Sequence, residues 1–514
     1  MHLPKKLATH FPPDWQRFLL RWLGISLGLH LLAAWFSAGF YHADEHFQIL
    51  EFMNYRLGGT PIGELPLEFR EQMRPWIPAF FFLGITKVVV FFGVKSPLLW
   101  AFFYRLMSAL IGWVSVIGLA LVSTLWIEDG VWKKWAVILL ATAWYLPALH
   151  ARPSSENLGG SLFLISLCAW ILALETEAFK SRKGFPLSVL LGALFGLAFE
   201  FRYQIGVMIF GASLWLIVIA RIRAREILGM ALGFLGIFAL GTYADQIGYG
   251  HFTFSPWNYV HYNLILNHVS DEDVSPLWDF FRRAFTESWP LLGFLLLCSF
   301  PVAWFRNPKN ALTWSLAPLF IVHELIGHKE LRFLFPLAGA GPLVWILAFY
   351  STKTKRLGWS EFAKIRFLKG ASLFLLILNG SALIFTTLLP AWMPVRFYAH
   401  IYALSEKTPE LALYYLFENP YTVNGSHMYF YRPKNLRLSE VKGFPGLDEK
   451  LRENHSPVYV FYNHAEFPTE GAPLRAPCAL QFSSIPQFLT ASSITHIFEH
   501  MTNWSLYLCR GKTS

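Results

Sequence analysis

Residues 19–48 read LLRWLGISLGLHLLAAWFSAGFYHADEHFQ, and this stretch decides the class of fold. Its apolar part, Leu19 to Phe40, is about 20 residues long, which is the length that an α-helix needs to cross a bilayer. Basic residues precede it, as in a signal peptide, but the run is longer than such a peptide has, and no A-x-A-like cleavage site follows. We therefore expect a retained first membrane span with a cytoplasmic N-terminus and a polar loop beyond it.

The composition extends this prediction to most of the chain. Of the 514 residues, 54% are hydrophobic and 15% are charged, whereas ordinary globular proteins carry about 25% charged residues. Long apolar stretches recur from Trp22 to Leu389 and then stop. The pattern predicts an all-α polytopic membrane protein, with a transmembrane domain over residues 1–391, about 11 to 13 helices and a polar outer loop over residues 41–75. The more polar residues 392–514 predict a small soluble α/β domain.

The charge of the chain has an explanation that does not involve nucleic acid. The formal net charge is +10, and basic residues collect in short loops such as Arg221, Arg223 and Arg225, as the positive-inside rule expects of cytoplasmic loops. No basic groove pattern interleaves with aromatic residues outside the apolar stretches, so we expect no nucleic-acid partner. Of the four cysteines, Cys478 and Cys509 share the tail and would pair in an oxidising compartment.

A pair of carboxylates stands directly after the first apolar stretch, in the segment His42-Ala-Asp-Glu-His-Phe-Gln48. Ionisable groups beside a membrane span are costly and mark functional sites by default. An Asp in this place accepts a proton from an attacking hydroxyl if a substrate comes within hydrogen-bond reach. The alternative is a solvated loop with ordinary charges.

A cationic segment, His328-Lys-Glu-Leu-Arg332, lies between two later apolar stretches. His328, Lys329 and Arg332 are suited to hold a phosphate at the membrane surface, because Arg offers two parallel donors and Lys a point charge. The alternative is a basic cytoplasmic loop. A zinc-protease site is excluded, since the preceding histidine, His323, is five residues from His328 rather than the four that align two ligands on a helix.

Two further arginines, Arg152 and Arg202, are each flanked by apolar runs, and Gln204 follows the second. We expect the arginines to join the phosphate site and Gln204 to bind substrate; alternatively, either arginine extends to lipid headgroups. Residues 245–263 alternate polar groups with aromatics, as sugar-contacting surfaces do, although interfacial belts have the same composition. From this segment we expect substrate contacts from Tyr249, Trp257 and Asn258.

These motifs resemble a known family. His42-Ala-Asp-Glu-His-Phe-Gln48 is similar to the His-Pro-Asp-Glu-x-x-Gln signature of the lipid-phosphate-mannose-dependent mannosyltransferases of glycosyltransferase family 22. His328-Lys-Glu-Leu-Arg-Phe333 resembles their His-Lys-Glu-x-Arg-Phe motif. Residues 245–263 are similar to a loop in the branch that adds the third mannose to glycosylphosphatidylinositol precursors. One departure is Ala43, where the family usually has Pro.

The resemblance implies a GT-C fold with an exoplasmic active site in the endoplasmic reticulum or bacterial inner membrane. It implies transfer of mannose, with inversion, from a polyprenyl-phosphate mannose donor to a glycolipid or lipid-linked glycan. By position, the outer loop 41–75 becomes the catalytic loop, with Asp44 as the general base and Glu45 as a second catalytic residue that positions the acceptor. Gln48 becomes a substrate contact, and the 328–332 segment becomes the donor-phosphate site. It implies neither a cofactor nor a metal ion.

A transporter or lipid flippase is the alternative from another class of protein, since it too would have many spans with buried charges. Such proteins often show inverted repeats with broken helices in matching positions, which the sequence lacks. A large first loop rich in carboxylates favours an enzyme. An inactive scaffold of a glycan-assembly complex is a third alternative.

Overall fold

The computed structural model describes residues 11–268, 274–350, 366–453, 457–463, 478–485 and 503–510. The chain divides into two compact units. The first, here called the helical unit, comprises Met1–Ser37, Leu67–Gly84 and Phe102–Leu389. The second, the mixed unit, comprises Ala38–Pro66, Ile85–Ala101 and Pro390–Ser514. The mixed unit thus joins the tail with the residues that follow the first helix. The division into domains 1–391 and 392–514 stays a prediction.

The helices up to the sheet of the tail vary from one turn to eight turns in length. In chain order they are α1 (Pro13–Phe36), α2 (Phe52–Arg56), α3 (Leu67–Arg70), α4 (Ile77–Phe91), α5 (Pro97–Trp126), α6 (Gly130–Thr142), α7 (Leu146–His150), α8 (Ser155–Glu175), α9 (Gly184–Phe201), α10 (Ile205–Val218), α11 (Ala224–Tyr249), α12 (Ser255–Val260), α13 (Asp279–Thr286), α14 (Pro290–Arg306), α15 (Ala311–Leu325), α16 (Phe335–Ala338), α17 (Gly341–Phe349), α18 (Arg366–Leu388) and α19 (Val395–Ser405).

Several of these helices are long and apolar enough to cross a membrane. Among the described residues there are 6 such helices: α1, α5, α8, α9, α11 and Gly370–Leu388 of α18. A further segment, Leu331–Ala338 with Gly341–Phe349, bends by 73° at its break. Shorter apolar helices are α4, α10, α14 and α15. The chain is therefore a multi-pass membrane protein, as predicted, and the number of 11 to 13 spans stays a prediction.

Local sequence sets where the first helix begins and ends. Pro13 occupies the first turn of α1, where its missing N–H costs nothing. After Ser37 the chain turns at Gly39, whose φ of +89° favours glycine. Within the mixed unit, a Cβ at Gly39 would lie 2.7 Å from Cβ of Trp392. Only glycine therefore fits at the entrance to the acidic segment.

Small residues allow α9 and α11 to approach closely in the helical unit. A Cβ at Gly192 would lie 2.1 Å from the carbonyl oxygen of Met230, and one at Gly233 would lie 1.9 Å from that of Val189. Membrane helices gain their association from such close packing, because lipid tails are as apolar as the side chains themselves. This pair holds in place the two helix ends, Phe201 and Tyr249, that lead into the candidate site.

The tail contains a mixed sheet, as the sequence predicts. Its strands are β1 (Leu411–Leu416), β4 (Leu436–Val441), β5 (Val458–Tyr462), β6 (Cys478–Ser483) and β7 (Ser505–Cys509), in the order β4-β1-β5-β7-β6; β2 (Thr422–Val423) and β3 (Ser426–His427) form a separate hairpin. The strands β4, β1 and β5 are parallel, and β7 is antiparallel to β5 and β6. Leu447 and Leu451 of helix α20 (Gly443–Glu453) complete its core. A disulfide joins Cys478 to Cys509 across β6 and β7.

Candidate active site

The acidic segment lies in the mixed unit as a tight turn that leads into a π-helical turn, His46–Glu51. The carbonyl oxygen of Ala43 accepts from the N–H groups of His46 and Phe47, at 2.9 and 3.0 Å, so a turn with 3₁₀- and α-type hydrogen bonds precedes the π-helical turn. The side chain of Asp44 is 27% exposed, with Oδ1 at 3.6 Å from Nδ1 of His42. Its Oδ2 accepts from Nε2 of Gln48 at 2.5 Å. Asp44 is therefore held by a neighbour and is still accessible, as a general base has to be.

Glu45 differs from Asp44 in its surroundings. Its side chain is buried, and Oε1 accepts from the N–H of Tyr41 at 3.3 Å. The catalytic roles of Asp44 as base and of Glu45 as its neighbour, and substrate binding by Gln48, stay predictions.

A cluster of arginines and carboxylates, here called the arginine cluster, lies in the helical unit and comprises Arg74, Arg202, Arg332, Glu156 and Glu330. Oε1 of Glu156 is 3.2 Å from Nη2 of Arg202 and 3.8 Å from Nη1 of Arg332. Glu330 accepts from Nε and Nη2 of Arg332, and its Oε1 is 2.9 Å from Nε2 of His328. The structure thus brings Arg202 together with Arg332 and His328, which follow it in the sequence by more than a hundred residues.

Burial makes the charge of the cluster costly. Arg202 is only 5% exposed, and burial lowers the pKa of its guanidinium group. The charge of Glu156 raises that pKa, while the charges of Arg74 and Arg332 lower it. An anion that enters among these guanidinium groups would relieve the same repulsion. The cluster is therefore suited to bind a phosphate.

Arg74 approaches the cluster from the end of the outer loop. Its guanidinium carbon lies 5.7 Å from the ring centre of Tyr259, and Nη2 is 3.4 Å from Oε1 of Glu68. Nε2 of Gln204 donates to the hydroxyl of Tyr259. Gln204 thus lies beside this aromatic ring, as a substrate contact would.

Two of the predicted cations make mainly backbone contacts. Nζ of Lys329 donates to the carbonyl oxygens of Ile326 and Ser275, at 2.8 and 3.4 Å, and the side chain is buried. Arg152 donates to the carbonyl oxygen of Ser37 and, at 3.0 Å, to its hydroxyl. These contacts tie loops together, and binding of the donor phosphate by Lys329 and Arg152 stays a prediction.

The aromatic segment packs on the end of the outer loop within the helical unit. The hydroxyl of Tyr249 donates to the carbonyl oxygen of Arg74 at 2.9 Å, and Nδ2 of Asn258 donates to that of Gln72 at 3.3 Å. Oδ1 of Asp245 accepts from the N–H of Trp76 at 2.8 Å. Trp257 is 54% exposed. Substrate contacts by Tyr249, Trp257 and Asn258 stay predictions.

Sequence reasoning missed Arg74, Glu156 and Tyr259. Glu156 lies in the first turn of α8, after the N-cap Ser154. Acidic residues are common at this position because the helix dipole stabilises them, so the sequence gives no reason to assign Glu156 a further role. Arg74 ends a loop with many charges, and Tyr259 is one aromatic among many. These residues differ from other charged and aromatic residues only in their contacts in the folded chain: Glu156 pairs with Arg202 and Arg332, and Tyr259 contacts Arg74 and Gln204.

Among the residues that the structure describes, no group of three or more His, Cys, Asp or Glu side chains is placed to hold a metal ion. The expectation of a reaction without metal or cofactor stays a prediction.

Comparison with known proteins places the chain in a family. The model of the Alg9-like mannosyltransferase family matches residues 22–427, which include both predicted motifs. The chain belongs to the Alg9-like mannosyltransferase family. The predicted membership in glycosyltransferase family 22 is therefore confirmed.

Two relatives illustrate the similarity of this chain to other sequences. It is 24% identical to GPI alpha-1,2-mannosyltransferase 3 of Homo sapiens over 370 residues, which are 69% of this chain and 61% of the human one. It is 25% identical to GPI mannosyltransferase 3 of Candida albicans over 304 residues, 58% of this chain and 57% of the other. The match thus spans about three-fifths of the length of these relatives.

The fold of this chain is also similar to that of a solved structure. The crystal structure of ArnT from Cupriavidus metallidurans bound to undecaprenyl phosphate superimposes with a TM-score of 0.50, covering 95% of this chain and 97% of ArnT, at 13% identity. The predicted GT-C fold is confirmed.

Proposed function

We propose that the protein transfers a mannosyl group from polyprenyl-phosphate mannose to a glycolipid or lipid-linked glycan, with inversion at the anomeric carbon and Asp44 as general base. Membership in the Alg9-like mannosyltransferase family supports the reaction class. One observation carries the proposal: Arg202 and Arg332 both lie within ion-pair distance of the carboxylate of Glu156, which places two buried cations side by side.

The arginine cluster suits the phosphate of a lipid-linked donor. Arg202 and Arg332 are buried and come from separate parts of the chain, and Arg74 adds a third cation. Fixed cations stabilise the charge that develops on a leaving phosphate, and they are more effective in a site that excludes water. The ArnT structure of the same fold holds undecaprenyl phosphate, a ligand of the chemical class that we propose here.

The proposed reaction is a single displacement. The acceptor hydroxyl attacks the anomeric carbon while the bond from that carbon to the phosphate oxygen breaks, and the electron pair leaves with the polyprenyl phosphate. The hydroxyl proton passes to a carboxylate oxygen of Asp44. Because one displacement inverts the configuration, a β-linked donor yields an α-linked product.

The disulfide supports an exoplasmic location for Asp44. Disulfides persist in oxidising compartments and are rare in the cytosol. Cys478 and Cys509 belong to the same compact unit as Ala38–Pro66, the segment that contains Asp44. We therefore assign the acid to the exoplasmic side of the endoplasmic reticulum or bacterial inner membrane.

The relatives bear on the acceptor. Those from Homo sapiens and Candida albicans are named GPI mannosyltransferases. A glycosylated phospholipid is accordingly the acceptor class to test first.

The decisive experiment measures transfer from labelled polyprenyl-phosphate mannose by the purified full chain. Membrane lipids from cells that lack the protein supply the acceptor, because they accumulate it unmodified. Asp44→Asn should reduce turnover at least about a hundredfold, since removal of a general base costs about 10²–10⁴-fold. Binding of the donor should stay unchanged.

Glu64→Gln is the matched control, because Glu64 is an exposed acid of the same loop segment. Near-normal turnover by Asp44→Asn would refute the assignment of the base. A transporter or flippase would move the labelled lipid across a bilayer without consuming it, so an unconsumed donor would refute the enzymatic function.

A further inference from the structure

Glu51 is the most deeply buried acid of the mixed unit's outer-loop segment. Its side chain has 0% exposure, and it lies at the end of the π-helical turn. Oε1 is 2.8 Å from Nε2 of His46, and Oε2 accepts from the hydroxyl of Thr60 at 2.5 Å. A buried carboxylate is stable only when its oxygens are satisfied in this way.

The remaining donors to Glu51 come from the tail. Oε1 also accepts from the N–H groups of Tyr429 and Phe430, at 2.9 and 3.0 Å. The ring of His46 stacks on Tyr431, with centroids 5.6 Å apart. One carboxylate therefore fastens the loop segment to a stretch of chain nearly four hundred residues away.

That stretch is itself anchored in the tail. The ring of Tyr431 stacks on Tyr398 of α19, with centroids 5.5 Å apart, and the hydroxyl of Tyr398 donates to the carbonyl oxygen of Pro420. The N–H of Met428 donates to the carbonyl oxygen of Tyr421. The backbone donors to Glu51 are thus held by the C-terminal part of the mixed unit.

The same π-helical turn carries the side chain that holds the proposed base. Gln48 lies in this turn and donates to Asp44. Glu51 is three residues further along, so fixing Glu51 fixes the turn and with it the amide of Gln48. Turns of this type inside helices are frequent at functional sites.

We propose that Glu51 is a positioning residue through which the C-terminal part of the chain holds Asp44 in its reactive place. This inference rests on the proposed function of Asp44. It gives the tail a task, since the sheet and α19 then serve as the support of the catalytic loop. A displacement of about 1 Å in a catalytic group costs as much as a hundredfold in rate.

The test compares Glu51→Gln with wild type in the full chain purified in detergent. The amide keeps the shape of the carboxyl group but directs an N–H₂ group at surrounding donors, so the loop segment should loosen. We expect kcat to fall about 10- to 100-fold. The dissociation constant of the donor, polyprenyl-phosphate mannose, should change less than about threefold, because the proposed phosphate ligands belong to the helical unit.

Three further measurements make the result specific. Hydrogen exchange should accelerate in peptides that cover residues 46–60 and 428–431, and it should stay normal in the arginine cluster. Thr60→Val removes one of the four donors and should give a smaller loss of kcat in the same direction, which keeps the test valid if Glu51→Gln fails to fold. Arg56→Gln, a substitution at an exposed position of the same segment, should leave kcat and exchange unchanged.

A normal kcat for both Glu51→Gln and Thr60→Val would overturn the proposal. So would a parallel loss of kcat and donor binding, which indicates general destabilisation. The comparison with Asp44→Asn separates this proposal from the proposed function. If Asp44→Asn is inactive and Glu51→Gln is normal, only the positioning role fails. If Asp44→Asn is active, the function of Asp44 fails first.

Discussion

Replacement of Glu156 by Gln is expected to weaken the protein while strengthening its hold on a lipid phosphate. Glu156 supplies the carboxylate that Arg202 and Arg332 share. Without its charge, these two buried guanidinium groups and Arg74 repel one another. A phosphate that enters the cluster then replaces the missing anion rather than competing with it.

The magnitude follows from the distances. At 3.2 and 3.8 Å and an effective dielectric constant of about 20, the gross attractions are about 5 and 4 kcal/mol. Much of this is offset by the cost of burying the charges, and breaking a buried ion pair typically costs about 3–5 kcal/mol. We expect a loss of about 3 kcal/mol in the free energy of unfolding. If half of that is recovered on binding, affinity for polyprenyl phosphate rises about tenfold, since tenfold corresponds to about 1.4 kcal/mol.

The assay combines thermal unfolding with a binding titration of a short-chain polyprenyl phosphate. The Tm of Glu156→Gln should be lower than that of wild type without ligand, and the ligand should raise it more. Turnover should fall, because the product leaves more slowly. Glu226→Gln is the matched control, since Glu226 is also buried in the first turn of a helix, α11. Equal or weaker affinity in Glu156→Gln would refute binding of phosphate by the arginine cluster.

Two further predictions concern stability and topology. Asp279, whose carboxylate accepts from Arg282 and Arg283, has its pKa lowered from 3.8 to about 2, chiefly by the hydrogen bond from Arg282. Its contribution, about 2 kcal/mol above pH 5, should fall to about half at pH 3 and vanish below pH 2. The Tm difference between wild type and Asp279→Asn should shrink accordingly, and a difference that does not depend on pH would contradict this account. After reduction, a membrane-impermeant maleimide should label Cys478 and Cys509 in spheroplasts that carry the protein in the bacterial inner membrane; labelling only after permeabilisation of these spheroplasts would contradict the exoplasmic assignment.

Much of the fold could be predicted from the sequence because the relevant physics is local. The length and hydropathy of a segment such as Leu19 to Phe40 determine whether it crosses a bilayer, whatever its neighbours are. Alternation of apolar residues in Val458–Tyr462 indicates a strand in the same way. The acidic and cationic motifs were likewise visible as short runs in a fixed order, which is why the family could be predicted from the residues.

The site itself depends on contacts that no local pattern contains. Glu156 lies in the first turn of α8, Arg202 follows the end of α9, and Arg332 lies in the 3₁₀ turn just before α16; their pairing follows from how these three elements pack in the helical unit. Arg152, like Arg202, is a charged residue between apolar runs. However, Arg202 pairs with the carboxylate of Glu156, whereas Arg152 donates to the carbonyl oxygen and the hydroxyl of Ser37.

The clearest division between sequence and structure is at Glu51. The order of residues is enough to predict that an acid-rich segment follows the first span and that a more polar stretch follows Leu389. The hydrogen bonds from Tyr429 and Phe430 of that stretch to the carboxylate of Glu51 become visible only in the folded chain. The physical reason is that a buried charge takes whichever donors the folded chain brings within about 3 Å. That choice depends on packing across the whole mixed unit and on no pattern of neighbouring residues.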